Sequence, residues 1–285
     1  VRRPGRFLGA IGPNLVVEDF NETSVPVTLS TQFQVSTQFT TQDLALSLDM
    51  FSDRILKPAI ATIANKMDRD GLLTAKNNTA NIVGTAGTAP TGLITYLTAA
   101  AYLDSEGAPR DGRRSVTIEP FTSSTIVDSL KGLFVPTSQI SSQYTKGLMG
   151  RDSGGMNWYM DQNVVSQTFG SYASATLSCN VTTATGFLTS GWAYSSNITI
   201  GATSAAATLN QGDTFTIAGV YAVNPQNRQS YGKLRNFVVQ STTAIGSGGT
   251  ATVTVVPAVI TAGQFQNVSV TSTGSQTVTP FNNTG

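Results

Sequence analysis

The chain has 285 residues, 40% of them hydrophobic and only 12% charged, with a formal net charge of +1. That is apolar material enough for a folded core, about half the usual share of charge, and no basic excess of the kind a dedicated nucleic-acid binder carries. There is no histidine and one cysteine, Cys179. Imidazole-dependent serine and cysteine catalysis, most zinc sites and any internal disulfide are thereby excluded.

No apolar run reaches the ~20 residues that a membrane-spanning helix needs. Val1 opens in mid-pattern and the last residues read as loop, so the chain is expected to be part of a longer polypeptide. Charge divides it. From Gln162 onward there is one acid, Asp213, against Arg228, Lys233 and Arg235. The first part mixes helix and strand signals, and the second, rich in Ser, Thr, Val and Gly, reads as β structure.

Residues 1–37 read as a long two-stranded excursion. Phe7 and Leu8 lie in one arm, Val25, Val27, Leu29, Phe33 and Val35 in the other, and Gly9, Gly12, Pro13 and Asn14 supply turn chemistry. Arms of ~10 residues would reach ~33 Å, and such a hairpin is marginal without something to lie on. Arg2, Arg3 and Arg6 crowd the first arm; Glu18, Asp19 and Glu22 crowd the connection. Separated opposite charges suit contact with neighbouring copies, or equally a solvated loop.

Residues 41–70 carry the strongest helical signal. Leu44, Leu48, Phe51 and Ile55 repeat at helical spacing, and Leu56, Ile60, Ile63 and Met67 repeat it displaced by one residue. Pro58 inside this run should disturb the helix near Arg54 to Lys57, and Gly71 fits a stop. About 30 residues give ~45 Å, the whole breadth of a domain. Further on, the pattern predicts a helix over Leu93 to Leu103, a strand over Arg114 to Ile118, a helix over Phe121 to Leu130 and a short one near Ile140 to Tyr144. Beyond Leu177 come strands, clearest at Asp213 to Val223, Phe237 to Val239 and Thr250 to Val256, which indicate a small barrel or sandwich.

The chemically suggestive motifs are weak. Asp152-Ser153-Gly154-Gly155 resembles the surroundings of a protease nucleophile, but no histidine base exists. The glycine-rich run Gly84 to Gly92 lacks the Lys and Ser/Thr that hold phosphates. Asp68 and Asp70 flank Arg69 near Lys66, which favours local ion pairing. Asp104, Glu106 and Asp111 face Arg110, Arg113 and Arg114 across a turn. Cys179, beside strand residues, reads as a buried thiol. No catalytic, cofactor or metal site is expected.

Three stretches carry a resemblance: Leu44 to Asp70, Ala108-Pro-Arg-Asp-Gly-Arg-Arg-Ser-Val116, and Gly212 to Pro225 (GDTFTIAGVYAVNP). With Gly154 to Asn163 (GGMNWYMDQN), they resemble major capsid (coat) proteins of tailed bacteriophages, specifically the P22-type group. The resemblance implies an α+β, HK97-like capsid fold with an extended hairpin loop, a long spine helix, peripheral and axial domains and an inserted small β-barrel. It implies a loop over 1–37, a spine and capsid core over 38–168, the barrel over 169–262, and a truncated return segment over 263–285.

The function so implied is that of a non-enzymatic subunit. It would self-assemble as pentamers and hexamers into an icosahedral shell enclosing phage DNA, built in the cytoplasm of a bacterial host. Scaffolding protein and portal would be partners, with nonspecific contact to packaged DNA and none to membrane. Some related shells crosslink through a lysine on the extended loop; residues 1–53 contain no lysine, so no such crosslink is expected. Candidate inter-subunit contacts are Arg2, Arg3, Arg6, Glu18, Asp19, Glu22, Arg228, Lys233 and Arg235. The competing readings are a surface adhesin or carbohydrate-binding β module, which leaves residues 41–70 unexplained, and a hydrolase using Ser153.

Overall fold

The computed structural model describes residues 1–28, 31–38, 41, 52–129, 154–182 and 186–281. Residues 42–51 of the expected spine, the short helix near Ile140 and the Asp152-Ser153 pair lie outside them.

Among the described residues, the excursion at the start is closed by a single short ladder. Strands β1 (Arg2–Arg3) and β2 (Thr23–Ser24) pair antiparallel, Arg2 opposite Ser24 and Arg3 opposite Thr23. The expected ten-residue arms do not form. Pro4 offers no N–H, Gly9 and Gly12 take positive φ, and the Leu8 N–H donates to the Glu18 carboxylate (2.7 Å) in place of a cross-strand carbonyl. A loop with these breakers has no uninterrupted ladder to build. Phe7 stacks on Phe20 at 6.0 Å, which holds its two limbs together.

Helix α1 (Lys57–Asn78) follows a wide, π-type turn over Ser52–Leu56. Pro58 has no N–H to give the Arg54 carbonyl, and the disturbance expected at residues 54–57 takes this widened form. Gly71 does not end the helix. Its cost of about 1 kcal/mol is small against a segment that continues Leu-Leu-Thr-Ala-Lys, and the chain stays helical to Asn78 before Thr79 turns extended (φ −97°, ψ 115°). From Ser52 to Asn78 this element spans about 40 Å.

Helix α2 (Leu93–Ser105), strand β3 (Ser115–Ile118) and helix α3 (Pro120–Ser129) fall where periodicity puts them. Strand β4 (Asn157–Met160), which no alternation signalled, pairs parallel with β3, Val116 opposite Trp158. Together they bury Ala100, Ile118, Ile126, Met156 and Trp158 in a small core, with Tyr96 against Trp158 at 4.8 Å.

The second part is a barrel. Its strands are β5 (Thr176–Asn180), β7 (Ser196–Thr203), β9 (Thr214–Val223), β10 (Ser230–Val239), β12 (Thr250–Val256) and β15 (Ser275–Pro280). Pairing runs β9-β10-β12-β7-β5-β15 and returns to β9, antiparallel at every step, so the sheet closes on itself. Alternation does the rest. Val253 and Val255 point in with Ile198, Ile200, Ile217, Phe215 and Phe237, while Thr252 and Thr254 face outward.

Strand β14 (Val268–Val270) pairs with the far end of β9. Within the stretch expected as a return segment, residues 268–280 supply β14 and β15 to the barrel sheet. The reason is closure: without β15, strands β5 and β9 would each keep an open edge. Short pairs flank the barrel, β8 (Ala207–Leu209) with β11 (Thr243–Ile245), and β6 (Phe187–Leu188) with β13 (Val259–Ile260).

One bend in β9 is set by a glycine. Gly219 has φ +76°, and a Cβ there would sit 2.0 Å from the Ser272 hydroxyl. At this bend β9 advances from Thr216 to Tyr221 while β10 advances only from Asn236 to Leu234. The extra residues form a bulge that turns β9 from its β15 partner to its β14 partner. Gly219→Ala should lower unfolding free energy by about 1–3 kcal/mol through left-handed strain and crowding, read as the shift in a urea denaturation midpoint; an unchanged midpoint would show that the bend tolerates a side chain.

Candidate functional site

For a protein expected to act by association, the relevant sites are the surfaces it leaves uncovered and the contacts that fix their orientation. The uncovered surface comes first. No residue of α1 is buried. Ile60 is 63% exposed and Met67 69%, with Leu56 and Leu73 also open to solvent. The loop between β1 and β2 presents Ile11, Leu15, Val16 and Val17, Leu15 at 91% exposure. Apolar side chains at helical spacing with nothing on them are half of a packing arrangement.

Orientation is fixed by an acid whose importance the sequence hid. Asp213 is wholly buried. Its Oδ2 accepts the N–H of Asn210 (2.8 Å) and of Gly170 (3.0 Å), and its Oδ1 accepts Gln167 Nε2 (2.8 Å). Gln167 Oε1 in turn accepts Lys76 Nζ (2.6 Å), near the end of α1. Burial pushes the Asp213 carboxyl pKa up, against the three donors and the Lys76 charge. Gly170 is required by contact, since a Cβ there would lie 1.8 Å from the Thr208 carbonyl oxygen. The end of α1 is stitched to the barrel twice more, by Gln240 Nε2 donating to the Asn77 carbonyl (3.0 Å) and by the Tyr194 hydroxyl donating to Asn78 Oδ1 (2.8 Å).

The candidate contact residues separate into two groups. Arg2 pairs with Glu22 at 3.1 Å in the open, Arg3, Asp19 and Lys233 are exposed, and Glu18 holds the loop through Leu8. Arg235 instead turns inward and pairs with Glu106, at the end of α2, which also accepts the Tyr231 hydroxyl (3.3 Å). Arg228, in the left-handed region at φ +57°, donates to the Phe7 carbonyl (2.7 Å). Gln264 Nε2 donates to the Asp19 carbonyl (3.1 Å). The base of the first loop thus rests on its own barrel while its apolar tip does not. Arg6 lies half-buried between the two, its pKa lowered first by desolvation and then by the charges of Arg3 and Arg228.

A family model described as P22 coat protein, gene protein 5, matches residues 16–285. The chain belongs to the P22 coat protein family. No curated protein sequence matches it. It is therefore a tailed-phage major capsid protein of the P22 type, mixed in helix and sheet with a small β-barrel, and its place is in the virion capsid, which is assembled from many copies. A coat protein of this family has a structural role. Among the described residues there is no helix long and apolar enough to cross a membrane and no cluster suited to a metal ion.

The turn between α2 and β3 resolves the remaining acidic group of this coat protein. Asp104 accepts Arg110 Nε (2.9 Å) and pairs with Arg114 Nη2 (2.8 Å), while Arg114 also donates to the Ala108 carbonyl (2.7 Å). Lys66 pairs with Asp70 at 2.6 Å, as local pairing predicts, whereas Asp68 accepts Asn163 Nδ2 (2.9 Å). Cys179 is buried, and burial pushes its thiol up to about 11. No local pattern marks Asp213 as a junction; the available signal is its isolation as the one acid beyond residue 161.

Asp213→Ala should cost about 1–3 kcal/mol by orphaning buried N–H groups, with faster amide exchange at Gly170 and Asn210. Unaltered exchange at both positions would remove the junction role. The hydrogen bonds from Arg110 and Arg114 hold the Asp104 carboxyl well below its ordinary 3.8. A depressed carboxyl stabilises the fold above the unfolded value, and that contribution is lost as pH falls through the folded one. The melting-temperature gap between wild type and Asp104→Asn should therefore be widest near neutral pH, narrow as pH falls below the ordinary carboxylate range and close only as the depressed folded value is reached; a gap that does not change with pH would assign the effect to shape instead of charge.

Proposed function

We propose that this coat protein takes the HK97-like arrangement and self-assembles, through pentamers and hexamers, into an icosahedral shell that encloses phage DNA. The observation that carries the reading is α1: 22 residues with no buried side chain and an open apolar row. Covering each such Ile, Leu or Met stabilises by about 1.5–3 kcal/mol, and a closed symmetric array does this without leaving free edges. Residues 1–37 form the loop that reaches a neighbouring subunit, residues 38–168 hold the spine and the peripheral and axial parts, and the inserted barrel runs from 169 to about 281. Arg2, Arg3, Glu18, Asp19, Glu22 and Lys233 set the register of contacts, with Arg6, Arg228 and Arg235 placing the loop on the barrel. Scaffolding protein and portal guide assembly in the bacterial cytoplasm, and packaged DNA touches the inner face nonspecifically.

Electron microscopy of the protein co-expressed with its scaffolding protein tests this reading. Closed shells are expected, and a persistent monodisperse monomer would contradict it. Leu15→Ser with Val17→Ser should leave circular dichroism and melting unchanged, because both side chains are exposed in the lone subunit, yet abolish or sharply reduce shell yield. Normal shells from this double variant would remove the loop tip from the contact surface.

A further inference from the structure

Between the first loop and the barrel lies a cavity of about 290 Å³, with Arg3, Arg6, Glu106, Arg235, Trp192 and Phe265 among its walls. Its charge is unbalanced. Arg6 feels Arg3, Arg228 and Arg235 as like charges and Glu106 as the opposite one. Of these groups Arg3, Arg6, Arg235 and Glu106 line the cavity itself, three guanidinium groups against one carboxylate, a formal +2. Glu106 is already committed to Arg235 and Tyr231. The cluster is also short of acceptors: the Nε groups of Arg228 and Arg235 are buried without a partner, and no described carboxylate pairs with Arg6. Clustered arginines beside an aromatic and aliphatic wall are costly unless a counter-charge joins them, and the partly dry surroundings strengthen any anion that does.

We propose that this cavity binds one small tetrahedral oxyanion, of the phosphate or sulfate class, held by Arg6 and Arg3 and thereby clamping the first loop onto its own barrel. Guanidinium forks match such an ion in geometry and charge. The volume of about 290 Å³ admits a single oxyanion with a few waters. The inference rests on the loop's position against the barrel and not on the shell reading, so each can fail without the other. Its consequence for assembly is a competition: the bound anion holds the loop at home, and its loss frees the loop for a neighbour.

Isothermal titration of the full chain with inorganic phosphate, at ionic strength matched with chloride, tests the site. One saturable event per chain is expected, weakened at least tenfold by Arg6→Gln and by Arg3→Gln and unchanged by Arg2→Gln, whose arginine pairs with Glu22 in the open. Amide exchange at residues 5–8 should slow on phosphate addition in wild type and not in Arg6→Gln. Because Arg3 is exposed, Arg3→Gln keeps the test valid if Arg6→Gln fails to fold. Non-saturating binding, or equal affinity in wild type and the Arg6 and Arg3 variants, overturns the proposal. So does a short DNA duplex that binds more tightly than phosphate with the same dependence on Arg6, since that would make the site an open backbone contact.

Discussion

The buried carboxylate of Asp213 ties together three pieces of chain that otherwise have few reasons to keep one geometry. It accepts N–H groups from the turn before β9, from the segment entering the barrel and, through Gln167, links to Lys76 at the end of α1. Burying an isolated carboxylate is very costly, and three donors with a nearby ammonium are what make it tolerable. An apolar residue at 213 could fill the space but could not choose among neighbours. The carboxylate can, because hydrogen bonds are directional and the penalty for missing one is larger than the gain from making one. The entry to the barrel is consequently fixed by polar geometry, and Gly170 is held against the Thr208 carbonyl with no room for a side chain.

On either side of this junction the two parts meet the same requirement differently. A sheet must cover its edges and its apolar face. The barrel covers both internally, by pairing β15 with β5 and β9 and by turning Phe215, Phe237 and the valines of β12 inward. Helix α1 has no buried side chain, and among the described residues the small core of α2, α3, β3 and β4 does not include it. The closed barrel is hydrogen-bonded to the end of this helix and leaves the helix's exposed Ile60 and Met67 uncovered.

Legibility in the sequence follows the same division. Elements whose periodicity is answered by their own neighbours were readable: α2, α3, β9 and β12 fall close to where spacing puts them. The spine helix was readable as an element, but its end was not, because the choice between stopping at Gly71 and continuing to Asn78 depends on Lys76, Asn77 and Asn78 finding partners on the barrel. Strand β4 was invisible because Asn-Trp-Tyr-Met has no alternation, and its pairing with β3 is decided by the pocket that takes Trp158. The loop was misjudged in detail for a local reason: apolar spacing suggested arms, whereas prolines, glycines and the Glu18 carboxylate interrupt the ladder. Of the candidate contact residues, spacing could flag Arg235 as part of a basic island, but only the fold brings Glu106 within reach, 129 positions away.

Charge and apolar surface have different tasks in such a molecule. The ion pairs Arg2–Glu22 and Lys57–Asp53 sit in solvent, where each is worth about 0–1 kcal/mol and salt weakens it further. They are too weak to drive association. Exposed apolar side chains on α1 and on the loop tip can drive it, but they are indifferent to register, since one methyl group packs on another nearly as well a few ångströms away. Sparse charge on an otherwise neutral, Ser/Thr-rich surface corrects that indifference: a misplaced partner brings like charges together or buries one unpaired, at a cost several times the gain from the correct pair. A shell needs many contacts that are individually weak and collectively unambiguous, and a 12% charged chain with an uncovered apolar helix meets both conditions.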